Sequence, residues 1–210
     1  MEFLAHRGLW FEKHQKNTME ALTLALKEGY GLETDVRDLN GELVISHDMP
    51  QTGAIPFEEL LTHYKQNNFS STLAINIKSD GLQQKLLELL TKHSIEKYFV
   101  FDMSIPDTLG YLKNGAKTYC RRSDIENHPE LTRITQGVWL DELKSEWINE
   151  HVILTESKTT QSVCIVSAEL HGRAFDGQWG HIKRAIELGC PASNLMLCTD
   201  FPQKAERYFK

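Results

Sequence analysis

Short runs of apolar, β-branched or aromatic residues alternate along this chain with longer stretches of helical period, the pattern of a parallel sheet wrapped by helices. The runs are Phe3 to Ala5, Gly31 to Val36, Thr72 to Ile77, Tyr98 to Asp102, Lys117 to Cys120, Gly137 to Leu140, Val163 to Ser167 and Leu195 to Cys198. A further short strand, Leu43 to Ser46, follows Asp38-Leu39-Asn40-Gly41, whose Asn-Gly pair suits a tight hairpin. Between the runs, apolar residues recur at three- and four-residue spacing over Met19 to Glu28, Leu82 to Lys92, Pro106 to Lys113 and Trp179 to Leu188, which predicts crossover helices. Strands joined in this way suit a closed (β/α)8 barrel. An open doubly wound sheet has the same local pattern, and strand order alone separates the two.

Composition narrows the picture. A chain of 210 residues with 40% hydrophobic content suffices for one sizeable core, so residues 1–210 are read as a single domain. A net charge of −6 offers no basic excess for a nucleic-acid backbone, and no apolar run approaches membrane-spanning length. Arg7 and Glu2 interrupt what would be the apolar part of a secretory signal. The expectation is a soluble, cytoplasmic protein with neither nucleic acid nor membrane as partner. Cys120, Cys164, Cys190 and Cys198 are widely spaced and form no CxxC pair, so they read as buried thiols.

The polar residues within the strands carry the chemistry, because a strand buried on both faces otherwise reads as almost wholly apolar. In Gly31-Leu32-Glu33-Thr34-Asp35-Val36 the two carboxylates, spaced by two, share one face. Two unpaired interior carboxylates would be costly, and a hard divalent cation, Mg2+ or Ca2+, offsets that cost. Asn76 and Lys78 share a face in the same way and offer a neutral oxygen ligand and a cation for a phosphate. His6-Arg7-Gly8 ends the first strand and His47-Asp48 the short strand after the hairpin. On a barrel these groups would meet at the rim formed by the C-terminal strand ends. Phosphodiester cleavage needs that set: an acid, a base and cations for the phosphoryl oxygens.

Ala5-His6-Arg7-Gly8, Asn17-Thr18, Glu33-Thr34-Asp35-Val36, His47-Asp48 and Thr199-Asp200-Phe201-Pro202 follow one another in the order and at roughly the spacing of the glycerophosphodiester phosphodiesterases, which the chain resembles over nearly its whole length. The resemblance implies a (β/α)8 TIM barrel. It further implies His6 and His47 as general acid and base, Arg7 as a phosphate contact, and Glu33 and Asp35 as metal ligands. The substrate would be a small-molecule or glycan-linked phosphodiester.

Two departures from the family pattern qualify what is carried over. The family's third strand ends in Glu-Ile-Lys, its Glu a metal ligand, whereas this chain reads Asn76-Ile77-Lys78. Asn76 can coordinate through its carbonyl oxygen but brings no charge, so a compensating acid is expected among Asp102, Asp141 and Glu169, with Glu169 favoured. The family's insertion after the His-Asp motif is reduced here to 23 residues, Met49 to Ser71. A more open pocket follows, suited to a glycerol-phosphate group on a saccharide or nucleotide. Structural readings stand beside these: Asn17 and Asp200 as helix caps, and Lys78 with Glu33 as a salt bridge. The competing functions are a non-catalytic phosphodiester-binding barrel and a lyase or phosphoryl transferase.

Overall fold

The computed structural model describes residues 1–210. In chain order the elements are β1 (Glu2–His6), α1 (Met19–Lys27), β2 (Gly31–Leu39), β3 (Glu42–Ile45), β4 (Ile55–Pro56), α2 (Phe57–Gln66), β5 (Leu73–Ile77), α3 (Gln83–Lys92) and β6 (Tyr98–Phe101). They continue with α4 (Ile105–Lys113), β7 (Tyr119–Arg122), α5 (Pro129–Ile134), β8 (Gly137–Leu140), α6 (Glu150–Thr159), β9 (Ser162–Val166), α7 (Asp176–Glu187), β10 (Leu195–Thr199) and α8 (Pro202–Phe209). The chain divides into two compact units, His6–Thr118 and a second formed by Met1–Ala5 with Tyr119–Lys210. No helix is long and apolar enough to cross a membrane.

In the His6–Thr118 unit the strand order is β4-β3-β2-β5-β6. Strand β2 does two jobs along its length. Its first half runs parallel to β5, and from Val36 onward it pairs antiparallel with β3. The hairpin between them turns on Asn40 (φ 53°) and Gly41 (φ 82°), both in the left-handed region that the Asn-Gly pair anticipates. Registration of β2 with β5 sets Glu33 beside Ala74 and Asp35 beside Asn76. Since parallel neighbours in register share a face, the polar positions of the two strands line up.

The second unit orders its strands β1-β10-β9-β8-β7, with parallel pairing throughout. Val138, Leu140, Val163, Ile165, Leu195 and Leu197 form one core with Trp179 and Ile182 of α7 and Ile153 of α6. The alternate residues Cys164, Val166, Met196 and Cys198 are buried as well. Burial on both faces explains why these strands read as continuous apolar runs. All four cysteines are buried and free, as their spacing suggested.

The sequence pattern missed several helices. Helix α6 hides because its buried face carries Glu156 beside Ile153, the carboxylate pairing with Arg122, so no clean apolar stripe marks it. Helix α5 has six residues, too few to display a period. Helix α2 carries a legible stripe, Phe57, Leu60, Leu61 and Tyr64, in the segment after the His-Asp motif. Helix α8 does follow Pro202, but its cap is Phe201, and the Asp200 amide donates to Glu169 instead.

Gly8 lies where the chain leaving β1 passes against α1. It has φ +95°, and a Cβ there would lie 2.6 Å from the Ala21 carbonyl carbon of α1. Leu9, the next residue, donates its amide to the Ala21 carbonyl at 2.9 Å, so backbone passes against backbone with no room for a side chain. Gly8→Ala should therefore destabilise the fold by about 2 kcal/mol or more, read as a shift in the urea unfolding midpoint at constant slope.

Candidate active site

The polar positions of β2 and β5 converge with His6 and Arg7 inside the His6–Thr118 unit. Asp35 is fully buried and Glu33 is 1% exposed. Arg7 Nε lies 2.9 Å from Asp35 Oδ2, an ion pair not aligned as a hydrogen bond, and Asn17 Nδ2 donates to the same oxygen at 2.9 Å. Lys78 Nζ sits 3.6 Å from Asp35 Oδ1 and 3.1 Å from Asp102 Oδ2. The salt bridge anticipated between Lys78 and Glu33 is thus made with Asp35 and Asp102. Asn76 Nδ2 donates to Glu33 Oε1 at 3.3 Å, and His6 Nε2 lies 4.0 Å from Glu33 Oε2.

Charge is not balanced in this cluster. Glu33, Asp35 and Asp102 face two permanent cations, Arg7 and Lys78. Burial foremost, and Asp35 after it, push the Glu33 carboxyl up to about 8, against the opposing pull of Arg7, Lys78 and Asn76. Two acceptors, Asp35 Oδ1 and Asn76 Oδ1, are buried without a hydrogen-bond partner. Registration places these two side chains next to each other on the sheet. Unsatisfied buried oxygens beside a surplus carboxylate form the kind of oxygen-rich, negatively biased setting that a hard divalent cation fits.

Backbone strain gathers here too. Arg7 (φ 59°), Asn17 (φ 61°) and Asp102 (φ 76°) are non-glycine residues in the left-handed region, each costing about 1 kcal/mol or more. The strain at Arg7 is held by its amide, which donates to Glu33 O at 3.0 Å and also to Glu33 Oε2 at 3.2 Å. Asn17 N in turn donates to Arg7 O at 2.9 Å.

Asn17 is the residue that the sequence misplaced. Helix α1 is capped by Thr18, whose hydroxyl accepts from Ala21 N at 3.3 Å. That releases Asn17 to bridge consecutive residues of β2, donating to Asp35 and accepting from the Thr34 hydroxyl at 2.9 Å. Asn and Thr are both good caps, and adjacent in sequence they gave no local signal of which would take the position.

His47 is half exposed, and its Nδ1 lies 2.8 Å from Asp48 Oδ1. With Arg7, Lys16, Asn17, Asp48 and the Met49–Ile55 segment it lines a cavity of about 460 Å³. His6 is not among the lining residues and lies beside Lys16, whose Nζ is 3.5 Å from His6 Nδ1. Structure therefore brings together His6, Arg7, Glu33, Asp35, Asn76 and Lys78, with His47 at the edge of the adjoining cavity.

Comparison with known proteins agrees at the level of the fold. No family model matches the chain, and no curated protein matches it in sequence. Among solved structures, a provisionally assigned glycerophosphodiester phosphodiesterase of Galdieria sulphuraria superposes with a TM-score of 0.78 at 17% identity, over 99% of this chain and 97% of that one. An Oleispira antarctica phosphodiesterase, solved with the product sn-glycerol-3-phosphate, gives 0.72 at 16%, over 99% and 96%. A glycerophosphodiester phosphodiesterase of Agrobacterium tumefaciens gives 0.67 at 17%, over 99% and 98%. The fold is the (β/α)8 barrel. The choice between barrel and open sheet is thereby made, and the segment after His47-Asp48 holds only β4 and α2.

The acids offered as compensation for Asn76 have other occupations. Asp102 pairs with Lys78. Glu169, in the second unit, accepts from the Ser167 and Thr199 hydroxyls and from Asp200 N at 3.1 Å. Asp141 Oδ1 accepts from Glu142 N at 2.7 Å and lies 2.7 Å from His171 Nε2. That last bond is the main cause of a His171 pKa raised above its ordinary 6.5, partly opposed by burial. The stabilisation is fully present below pH 6.5 and is lost as pH rises through the folded value. An NMR titration should place the His171 midpoint above that of an unfolded-state histidine, and Asp141→Asn should lower it and flatten the pH dependence of Tm above pH ~6.5.

Proposed function

We propose that this chain is a metal-dependent phosphodiester hydrolase acting on a glycerophosphodiester or a related glycerol-phosphate-containing substrate. The observation that carries the reading is the buried cluster itself: two neighbouring strands aim Glu33, Asp35, Asn76 and Lys78 at one place, and strained backbone holds Arg7 against them. The (β/α)8 fold supports it, since barrel enzymes build their sites at the C-terminal strand ends. So does the product bound to the Oleispira phosphodiesterase, a glycerol phosphate.

Glu33 and Asp35 would hold the divalent ion, Mg2+ or Ca2+, with Asn76 Oδ1 as a neutral third oxygen. Bound there, such an ion supplies Lewis-acid stabilisation of a phosphoryl oxygen and answers the surplus carboxylate charge. Arg7 and Lys78 provide fixed positive charge for the remaining phosphoryl oxygens, and their existing pairs with Asp35 orient them in advance. One of His6 and His47 takes the proton of the neighbouring glycerol hydroxyl as it attacks phosphorus. The other protonates the departing alcohol oxygen. Their roles then reverse while water opens the cyclic phosphate. Glu169, its carboxylate already held by three donors, is given no metal role.

Asn76 favours a second reading, in which loss of a charged ligand leaves a phosphodiester-binding barrel, or a lyase or transferase that releases cyclic phosphate or a new diester. Alcohol release from a panel of phosphodiesters, assayed in EDTA, Mg2+, Ca2+ or Mn2+, separates these outcomes. We expect metal-dependent hydrolysis, with His6→Ala slowing kcat by about 100-fold or more and Glu33→Ala abolishing the metal response. Folded protein that cleaves no diester with any metal would overturn the hydrolase reading. A persistent cyclic phosphate would identify a lyase. In addition, Asn76→Glu should tighten Mg2+ or Ca2+ binding about tenfold in calorimetry, because ligand charge sets affinity at hard-cation sites.

A further inference from the structure

His47 begins a stretch of chain that the core does not hold. From His47 to Gly53 no residue is buried, and Met49 is 74% exposed. Asp48, the carboxylate beside the His47 ring, is itself 93% exposed and belongs to the same turn, so it gives the imidazole no reference outside that turn. Segments with few buried apolar contacts open at little cost in free energy. A group that transfers protons has to be kept in one geometry nonetheless, since a displacement of about 1 Å can cost about 100-fold in rate.

Polar bonds to the sheet take the place of packing. Ser46 N donates to Asp35 O at 3.1 Å just after β3 ends, and Ser46 Oγ donates to Asp48 O at 2.8 Å. Arg37 reaches His47 itself from the neighbouring strand: its Nε donates to His47 O at 3.1 Å, and its Nη1 lies 3.9 Å from Met49 Sδ. The two-residue repeat of β2 puts Arg37 on the face that carries Glu33 and Asp35, and the strand keeps its register from Leu32 beside Leu73 to Leu39 beside Glu42. At successive positions of one face, β2 therefore presents the two carboxylates assigned to the metal and then the donor that grips the histidine turn.

Resting on the hydrolase reading, we infer that Arg37 is a positioning residue whose Nε–H holds the His47 carbonyl against β2 and so fixes the imidazole relative to the Glu33 and Asp35 carboxylates. It acts through the backbone of His47 and touches neither substrate nor metal. The requirement is for the donor, not for the charge. A guanidinium that bound phosphate would need its positive charge and its fork of donors. One that holds a carbonyl needs an N–H at the Nε position, which glutamine supplies at the same distance along its side chain and methionine does not.

The test compares wild type, Arg37→Gln and Arg37→Met in steady-state kinetics with glycerophosphoglycerol and Mg2+. Arg37→Met should lower kcat about tenfold or more with KM within about twofold of wild type, while Arg37→Gln should keep kcat within about threefold. An equal loss in both variants, or a rise in KM at unchanged kcat, would overturn the inference and assign Arg37 to a contact made through its charge. Full kinetic competence of Arg37→Met would overturn it as well. A second readout needs no turnover: the backbone 15N order parameters of His47 and Asp48 should fall toward about 0.6 in Arg37→Met and stay near the wild-type values in Arg37→Gln. If they respond in that way while wild type cleaves no diester, the hold on His47 stands and only the hydrolase reading fails. If they are unchanged in Arg37→Met, the positioning inference fails whatever the enzyme cleaves.

Discussion

Asp35 is a fully buried carboxylate on the second strand, and its interactions govern how the surrounding chain is arranged. An ionised carboxylate withdrawn from water costs several kcal/mol unless its oxygens are met by charge and hydrogen bonds. Arg7 and Asn17 meet one oxygen and Lys78 approaches the other. Each partner arrives from a different place: the end of β1, the loop leading into α1, and the residue following β5. Two of the three, Arg7 and Asn17, reach it only by adopting left-handed backbone, so the favourable electrostatics at Asp35 offset strain elsewhere. Gly8, with no space for a Cβ against α1, lets the loop carrying these residues turn back toward the sheet.

The cluster around Asp35 differs from the carboxylates Glu142 and Glu169 in how its oxygens are met. In the second unit, Glu142 accepts from Trp147 N, Ile148 N and Gln178 Nε2, and Glu169 accepts from two hydroxyls and an amide. Glu169 is satisfied by neutral donors, Glu142 has Arg173 at 3.7 Å in addition to its neutral donors, and both serve as internal struts for the loops after their strands. Around Asp35 the accounting is left open. Asp35 Oδ1 and Asn76 Oδ1 have no hydrogen-bond partner, and Glu33 is held in a setting that favours its protonated form.

Positive charge is distributed with similar selectivity. Arg7 and Lys78 are bound into the carboxylate cluster, whereas Lys16 and Arg37 flank the cavity at His47. The segment after His47-Asp48 holds β4 and α2, and residues from Met49 to Ile55 in it line that cavity.

The sequence alone determined every strand except the short β4, with β7 displaced by two residues, together with the hairpin at Asn40-Gly41, the burial of the cysteines and the placing of Glu33 and Asp35 on one face. All of these follow from local periodicity, turn chemistry or the two-residue repeat of a strand, which need no knowledge of distant neighbours. Helix α6 escaped because its buried face includes Glu156, whose partner Arg122 lies far off in sequence. Tertiary structure decided the rest. It chose Thr18 over Asn17 as the helix cap, gave Lys78 to Asp35 and Asp102 instead of Glu33, engaged Glu169 with hydroxyls, and set Lys16 against His6 and Trp10. Each of these choices is among chemically equivalent partners, and only the registration of strands and the path of loops determines which partner lies within reach.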